Sequence, residues 1–182
     1  MTGKFTFATR EEGFDNHIDT SIRGYSDLWK DVVDYSQYFV ENGTSVVDIG
    51  CSTGKMLKSM IAQNKFAPDA IYEGIEIEEE FWKSYTADEN NYDNISYYRG
   101  NALEYRFHNC SYVTSIFTLQ FMPYHQRVDL INKIYRGLNP GGAFVFAEKT
   151  MPENVRIHEM RTFTYYDFKR GSFTTDDIMD KE

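Results

Sequence analysis

The hydrophobic positions of the chain change their period several times. Between Tyr25 and Glu41, the residues Leu28, Trp29, Val32, Val33, Tyr35, Phe39 and Val40 form a stripe of helical spacing that stops at Asn42-Gly43. Beyond it, short apolar runs bounded by turn residues alternate with amphipathic stretches. The pattern predicts strands Ser45–Ile49, Ala70–Ile77, Ile95–Arg99, Tyr112–Phe117 and Ala143–Ala147. Between them it predicts helices Lys55–Gln63, Glu78–Tyr85 and Gln126–Tyr135, with a further helix over Glu153–Phe168. Gly137 and Asn139-Pro140-Gly141-Gly142 close the third of these helices, and Met1–Thr20 lacks periodicity. Repeated βα units with apolar strands predict an α/β fold, a doubly wound and mostly parallel sheet. Right-handed crossovers then put a ligand at the carboxyl ends of the strands.

One stretch stands at such an end. VVDIGCSTG, Val46 to Gly54, is an apolar run that ends in an acid and passes through two glycines into a helix. Strand, tight turn and helix N-terminus make a backbone cradle in which a ligand lies against exposed N–H groups. Gly50 suits a backbone conformation closed to other residues, and Gly54 lets the helix approach the strand. Asp48 at the strand's end suits a cationic or polar ligand better than a pyrophosphate. The next strand ends at Glu76, where nucleoside-binding α/β folds place an acid that accepts hydrogen bonds from ribose hydroxyls. The competing reading makes Glu76 the opening of the solvated run Glu78-Glu79-Glu80, whose charge favours the start of a helix.

Composition narrows the field. A chain of 182 residues is a single-domain length. A formal charge of −9 argues against a direct nucleic-acid surface, because there is no basic stripe to neutralise phosphates. The two cysteines, Cys51 and Cys110, lie far apart without metal spacing and fit a reducing compartment. His17, His108, His125 and His158 do not cluster, so no bound metal is expected. No long apolar run and no signal-peptide pattern at Met1–Arg10 occur, so the expectation is a soluble cytoplasmic protein that meets no membrane. Cys51 stands near a helix N-terminus, which predicts a lowered thiol pKa, although a small residue for a tight loop is the preferred reading. Met122-Pro123-Tyr124-His125 lacks the leading amide or carboxylate and the second proline of the signature for amino-methylation of nucleic-acid bases, so that activity is rejected.

Asp48 to Gly54, Glu76 and LNPGGAFVF (Leu138 to Phe146) together resemble a class I S-adenosylmethionine-dependent methyltransferase. The likeness is closer to one branch, carboxy-S-adenosylmethionine synthase. It rests on Ile22-Arg23-Gly24-Tyr25-Ser26, the glycine loop, Phe117-Thr118-Leu119-Gln120-Phe121, Lys133 through Lys149, and Asp167-Phe168-Lys169-Arg170. The resemblance implies a Rossmann-like domain over residues 22–170, between an N-terminal segment 1–21 and a short C-terminal segment 171–182. It implies S-adenosyl-L-methionine, its carboxylated form or S-adenosylhomocysteine as the bound cofactor, and no metal. Tyr25 aligns with the tyrosine covering the cofactor's methionine part, and Gly50, Cys51 and Ser52 with the loop against its amino-acid moiety. Glu76 and Ile77 take the ribose and adenine-edge positions. Asn101 and Ala102 align with a pair beside the adenine, where Asn101 is also suited to cap a turn after Gly100. Ile116 stands where the family has an asparagine that touches the cofactor.

The implied reaction moves a carboxyl group from prephenate to the cofactor's methyl carbon and releases phenylpyruvate, in service of wobble-uridine modification in tRNA. The sulfonium is already activated, so the protein chiefly aligns donor and acceptor and excludes water, and no side chain is singled out as catalytic. The family's carboxylate-gripping arginine has no counterpart after Arg170, and Glu182 near that place repels an anion. Arg170 is the nearby substitute. Thr174-Thr175-Asp176-Asp177 reads as a helix cap without a helix body. The closing antiparallel strands are also expected to be missing, which predicts a homodimer or heteromer that completes the sheet edge. Two other functions stay open, an ordinary methyltransferase on a small-molecule acceptor and a non-catalytic cofactor-binding partner.

Overall fold

The computed structural model describes residues 14–179. The expectations placed on Met1–Arg10 and on Glu182 lie outside the described residues. Five parallel strands form one sheet: β1 (Ser45–Ile49), β2 (Ile71–Glu76), β3 (Ile95–Arg99), β4 (Cys110–Ile116) and β5 (Leu138–Ala147), in the order β3-β2-β1-β4-β5. β1 lies at the centre, and the strand order reverses between β1 and β4, where an open α/β sheet forms its ligand crevice. Every pairing is parallel, so among the described residues the sheet has no antiparallel strand.

Two cores sit on the two faces, because successive side chains of a strand point opposite ways. Val46, Tyr72 and Tyr112 face α2 (Tyr25–Ser36) and α3 (Lys55–Gln63). Val47, Ile49, Ile75 and Val113 face α5 (Tyr124–Gly137), whose Leu130 and Ile134 are buried. The ten-residue connection from Gly100 to Asn109 crosses that second face without a helix and packs it with Ala102, Tyr105 and Phe107.

The chain departs from its hydrophobic pattern at five places; the first is α2, which ends at Ser36 and leaves Phe39 and Val40 of the stripe in the turn beyond it. The stretch read as lacking periodicity contains α1 (Phe14–Ser21); Phe14, Ile18 and Ile22 recur at four-residue spacing, too short a stripe to stand out. The helix expected over Glu78–Tyr85 begins with a 3-10 turn, Glu79–Phe81, and continues as α4 (Trp82–Asn91). A polar residue hides this extension: Asp88 is buried, bound by Lys58 Nζ at 3.0 Å and Tyr97 Oη at 2.7 Å. β5 starts at Leu138, not Ala143. Leu138 pairs with Cys110 and Ala143 with Tyr112, so residues 139–142 bow out as an irregularity within the strand. After α6 (Val155–Lys169) the cap at Thr174 does open a short helix, α7 (Thr175–Met179), anchored by buried Ile178.

Candidate functional site

A cavity of about 1240 Å³ opens at the carboxyl ends of β1, β2 and β4. Its walls come from α1, the start of α2, the glycine loop, the loops after β2, β3 and β4, and the end of α6. Small-ligand sites usually measure about 300–1,000 Å³, so this one has room for a nucleoside-sized molecule and a second small one.

The glycine loop forms the floor. Gly50 takes φ +75° and Ser52 φ +43°. A side chain at Gly50 would put its Cβ 2.2 Å from Thr118 Oγ1, so the position has neither the backbone nor the space for another residue. The amides of Gly50 and Cys51 both donate to the Ile75 carbonyl, at 2.8 and 3.1 Å, which ties the loop to β2. Tyr85 Oη donates to the Ser52 carbonyl at 2.5 Å from behind, while its ring stacks on Tyr97 at 3.8 Å. Gly54 is not on the cavity wall. It packs against Tyr97, whose hydroxyl lies 2.2 Å from where a Cβ would stand, so its work is helix approach and not ligand contact.

Three acids stand at or just beyond the carboxyl ends of β1, β2 and β5. Asp48, after the core residues of β1, is only 4% exposed and accepts one hydrogen bond, from Thr114 Oγ1 at 2.7 Å. Burial pushes its pKa up to about 6; the Thr114 bond opposes the rise and the Glu76 charge adds to it. Glu76 is buried too, so the solvated reading fails. Its Oε1 accepts from the amides of Ile77 and Glu78, and its Oε2 from Ser52, all at 2.9 Å. Burial raises its pKa against the pull of those amides. A carboxylate offers about four acceptor sites, so one remains for a ligand hydroxyl. Glu148, one residue beyond β5, takes the amides of Thr118, Leu119 and Gln120 at 3.1, 2.7 and 3.1 Å. It thereby fixes the loop after β4, in which Phe117 holds φ +56°.

The remaining sequence candidates converge here, with corrections. Tyr25 lines the cavity, its ring 6.3 Å from that of Phe117, and burial beside Asp48 and Asp15 drives its phenol pKa upward, so it stays a donor. Ile77 is 58% exposed although apolar, and it lines the cavity together with buried Ala102 and half-buried Ile116. Asn101 also lines it, with Oδ1 accepting the Leu103 amide at 3.0 Å, so it caps the turn and keeps its NH2 group for a ligand. Cys51 lines the cavity as a buried thiol. Burial and Asp48 push its pKa well up, contrary to the lowering expected from a helix N-terminus. Arg170 does not face the cavity; it is exposed and ion-paired with Asp167. Glu78 and His17, read as solvated or uninvolved, do line it.

Sequence reasoning missed Thr118, Glu148 and Tyr165, as well as α1. Asp15 of α1 accepts from Thr53 Oγ1 at 3.2 Å, so this helix is tied to the glycine loop. The signal for Glu148 was available: it is a third acid at the end of an apolar run, like Asp48 and Glu76. Thr118 carries no such signal, since its role depends on the approach of β4 to Gly50. Among the described residues no group of three or more His, Cys, Asp or Glu side chains is placed to hold a metal ion, and no helix is long and apolar enough to cross a membrane. The arrangement fits a nucleoside with a cationic tail: a glycine cradle, an acid for a diol, an apolar rim for a base and a second acid for positive charge.

A family profile described as a methyltransferase domain matches residues 46–142. The chain is 35% identical over 181 residues to a carboxy-S-adenosyl-L-methionine synthase of Staphylococcus epidermidis, covering 98% of this chain and 78% of that protein. Among solved structures it resembles S-adenosylmethionine-bound CalS10, an amino pentose methyltransferase from Micromonospora echinaspora, with TM-score 0.60 and 19% identity over 79% of this chain and 58% of that one. It also resembles a structure described as a complex between the Haloferax volcanii Trm112 methyltransferase activator and a putative methyltransferase. That match has TM-score 0.61 and 20% identity over 91% of this chain and 73% of the other. At these identities the two structures share the fold.

Proposed function

Because the chain belongs to the carboxy-S-adenosyl-L-methionine synthase family of the class I methyltransferase superfamily, we propose that it binds S-adenosyl-L-methionine and transfers a carboxyl group to it from prephenate. The observation that carries this reading is the cavity. Its floor is a glycine cradle, two buried acids end the strands beside it, and its volume exceeds one nucleoside. Gly50, Cys51 and Ser52 lie under the cofactor's amino-acid part and Tyr25 covers it. The free acceptor site of Glu76 takes the ribose, and Ile77, Asn101 and Ala102 border the adenine. Asp48 faces the positive end. The cofactor supplies a sulfonium-activated methyl group, and the chain's own work is to orient the two molecules and keep water out. Prephenate loses its ring carboxyl and ring hydroxyl and becomes phenylpyruvate. The carboxyl replaces one methyl hydrogen, and that hydrogen leaves with the hydroxyl as water. The carboxylated product serves wobble-uridine modification of tRNA in the cytoplasm, whose reducing conditions suit the two buried thiols.

Calorimetry with S-adenosyl-L-methionine, followed by incubation with prephenate, tests the reading. The expected result is about micromolar affinity and release of phenylpyruvate. Absence of heat at millimolar cofactor sinks the binding claim; binding without phenylpyruvate sinks the carboxyl-transfer claim and favours an ordinary methyltransferase. A second copy of the chain at the β5 edge belongs to this proposal, since Phe146 there is 57% exposed on a strand with one free side.

A further inference from the structure

The cavity is electrically asymmetric. Asp48, Glu76 and Glu78 stand at the glycine-loop side, and Asp15 and Asp19 on α1. Of the cavity's cations, Lys55 stands with Asp15 at 4.0 Å, while Lys149, just after β5, and Lys169, in the last turn of α6, line another part of the wall. Between the two lies Tyr165. Its hydroxyl donates to the Ser21 carbonyl at 3.0 Å, which pins the ring between α6 and α1. Lys169 Nζ stands 4.5 Å from the centre of that ring and Lys149 Nζ 5.9 Å. Lys169 is a buried residue, 6% exposed, yet among the described residues no carboxylate pairs with either ammonium.

The Lys169 side chain is packed, yet its ammonium opens on the cavity and is not one of the buried polar atoms left without a partner, so an anion in the cavity can reach it. The ring face and the carboxyl end of α6 each favour the positive charge modestly. Neither matches an anion. The neighbouring cation does not share the task, because Arg170 points outward to Asp167. Phe121 and Met122 on the adjoining loop add apolar surface to the same cavity.

We infer that Lys149 and Lys169, held about Tyr165, form the subsite that takes the carboxylate of the second substrate. The inference rests on the reading of the cavity as a cofactor site, with the cofactor's cationic end toward Asp48 and the second substrate's carboxylate toward the lysines. In that arrangement Lys169 is a specificity residue: it selects an anionic over a neutral partner and contributes nothing to cofactor affinity. Lys149, being exposed, contributes less.

The test separates this inference from the carboxyl-transfer reading. The protein saturated with S-adenosylhomocysteine is titrated with prephenate and, separately, with phenylpyruvate. Lys169→Met is expected to weaken both acids by about tenfold or more, the scale for losing a charge-assisted contact in a desolvated pocket, and Lys169→Arg to restore most of the affinity. Lys149→Met, a surface substitution that does not threaten folding, is expected to weaken them by about threefold. S-adenosylhomocysteine itself should bind all three variants as it binds the wild type. Unchanged acid affinity in both methionine variants overturns the subsite. So does a loss confined to S-adenosylhomocysteine, which assigns the lysines to the cofactor's own carboxylate, and so does a wild type that binds neither acid. If the wild type binds the acids through these lysines yet releases no phenylpyruvate from prephenate, the subsite stands and carboxyl transfer falls.

Discussion

Asp48 joins the fold's energetics to its chemistry. It ends β1 with a carboxylate that has one hydrogen bond and almost no water, and its pKa rises to about 6, mainly through burial. An acid whose folded pKa exceeds its unfolded value favours folding while protonated. That contribution is full below about pH 4, where both states are protonated, and is lost as the pH rises through about 6. Asp48→Asn removes the loss and keeps a partner for Thr114. The ligand-free variant is therefore expected to melt higher than the wild type at pH 8, by a stability gain on the order of 3 kcal/mol or less. The two should converge at pH 4. The binding of a cationic cofactor has the opposite sign: affinity for S-adenosyl-L-methionine should rise with pH through about 6 in the wild type and stay flat and weak in Asp48→Asn. Calorimetry across that range checks both halves, and a flat wild-type profile removes Asp48 from the positive end of the ligand.

At the scale of elements, the site is assembled by loops that hold one another. The loop after β4 closes on Gly50 through Thr118, whose Oγ1 reaches the Ile49 carbonyl at 3.1 Å, and it is held there by the three amides that Glu148 accepts. Glu148→Gln keeps the shape but turns one acceptor oxygen into an NH2 group facing an amide donor. The expected cost is about 1–3 kcal/mol of stability, with weaker cofactor binding as Phe117 and Thr118 lose their positions. Denaturant unfolding and calorimetry on the same variant check this, and an unchanged Kd would leave Glu148 a purely structural cap. The elements that make this site were unequally legible in the sequence. β1, the glycine loop and α3 were plain because burial, turn and helix each leave a local signature there. α1 was not, since two turns give too few repeats. The full length of α4 was not, because Asp88 faces inward through partners 9 and 30 residues away. The lysine wall was legible only as a dipeptide, Lys169-Arg170, and the chain pattern does not say which of the two turns inward. Helix phase decides it: Lys169 lies four residues after Tyr165 on the packed side, and Arg170 falls on the solvent side.

The whole molecule is two cores on one parallel sheet, and the apolar runs of the sequence already required that architecture. They also left open what lies beside β5. That strand is an edge of the sheet, with the stacked pair Phe144 and Phe146 at 5.2 Å on the α5 side. Phe144 packs on the second core, whereas Phe146 remains exposed. A free row of backbone donors and acceptors beside an exposed aromatic ring is a template for a further strand. Interfaces of standard size, about 1,600 Å² in total, reach micromolar affinity or better. With a second copy of the chain seated at the edge, the molecule should therefore sediment as a dimer at roughly tens of micromolar protein. Phe146→Lys puts a charge on the edge without touching the cofactor walls, and it should shift the population toward monomer while affinity for S-adenosyl-L-methionine stays the same. Sedimentation velocity over a dilution series reads the first effect and calorimetry the second. A wild type that is monomeric at every concentration sinks the self-association. A variant that loses cofactor affinity along with the dimer would instead mean that the second copy reaches into the cavity and completes it.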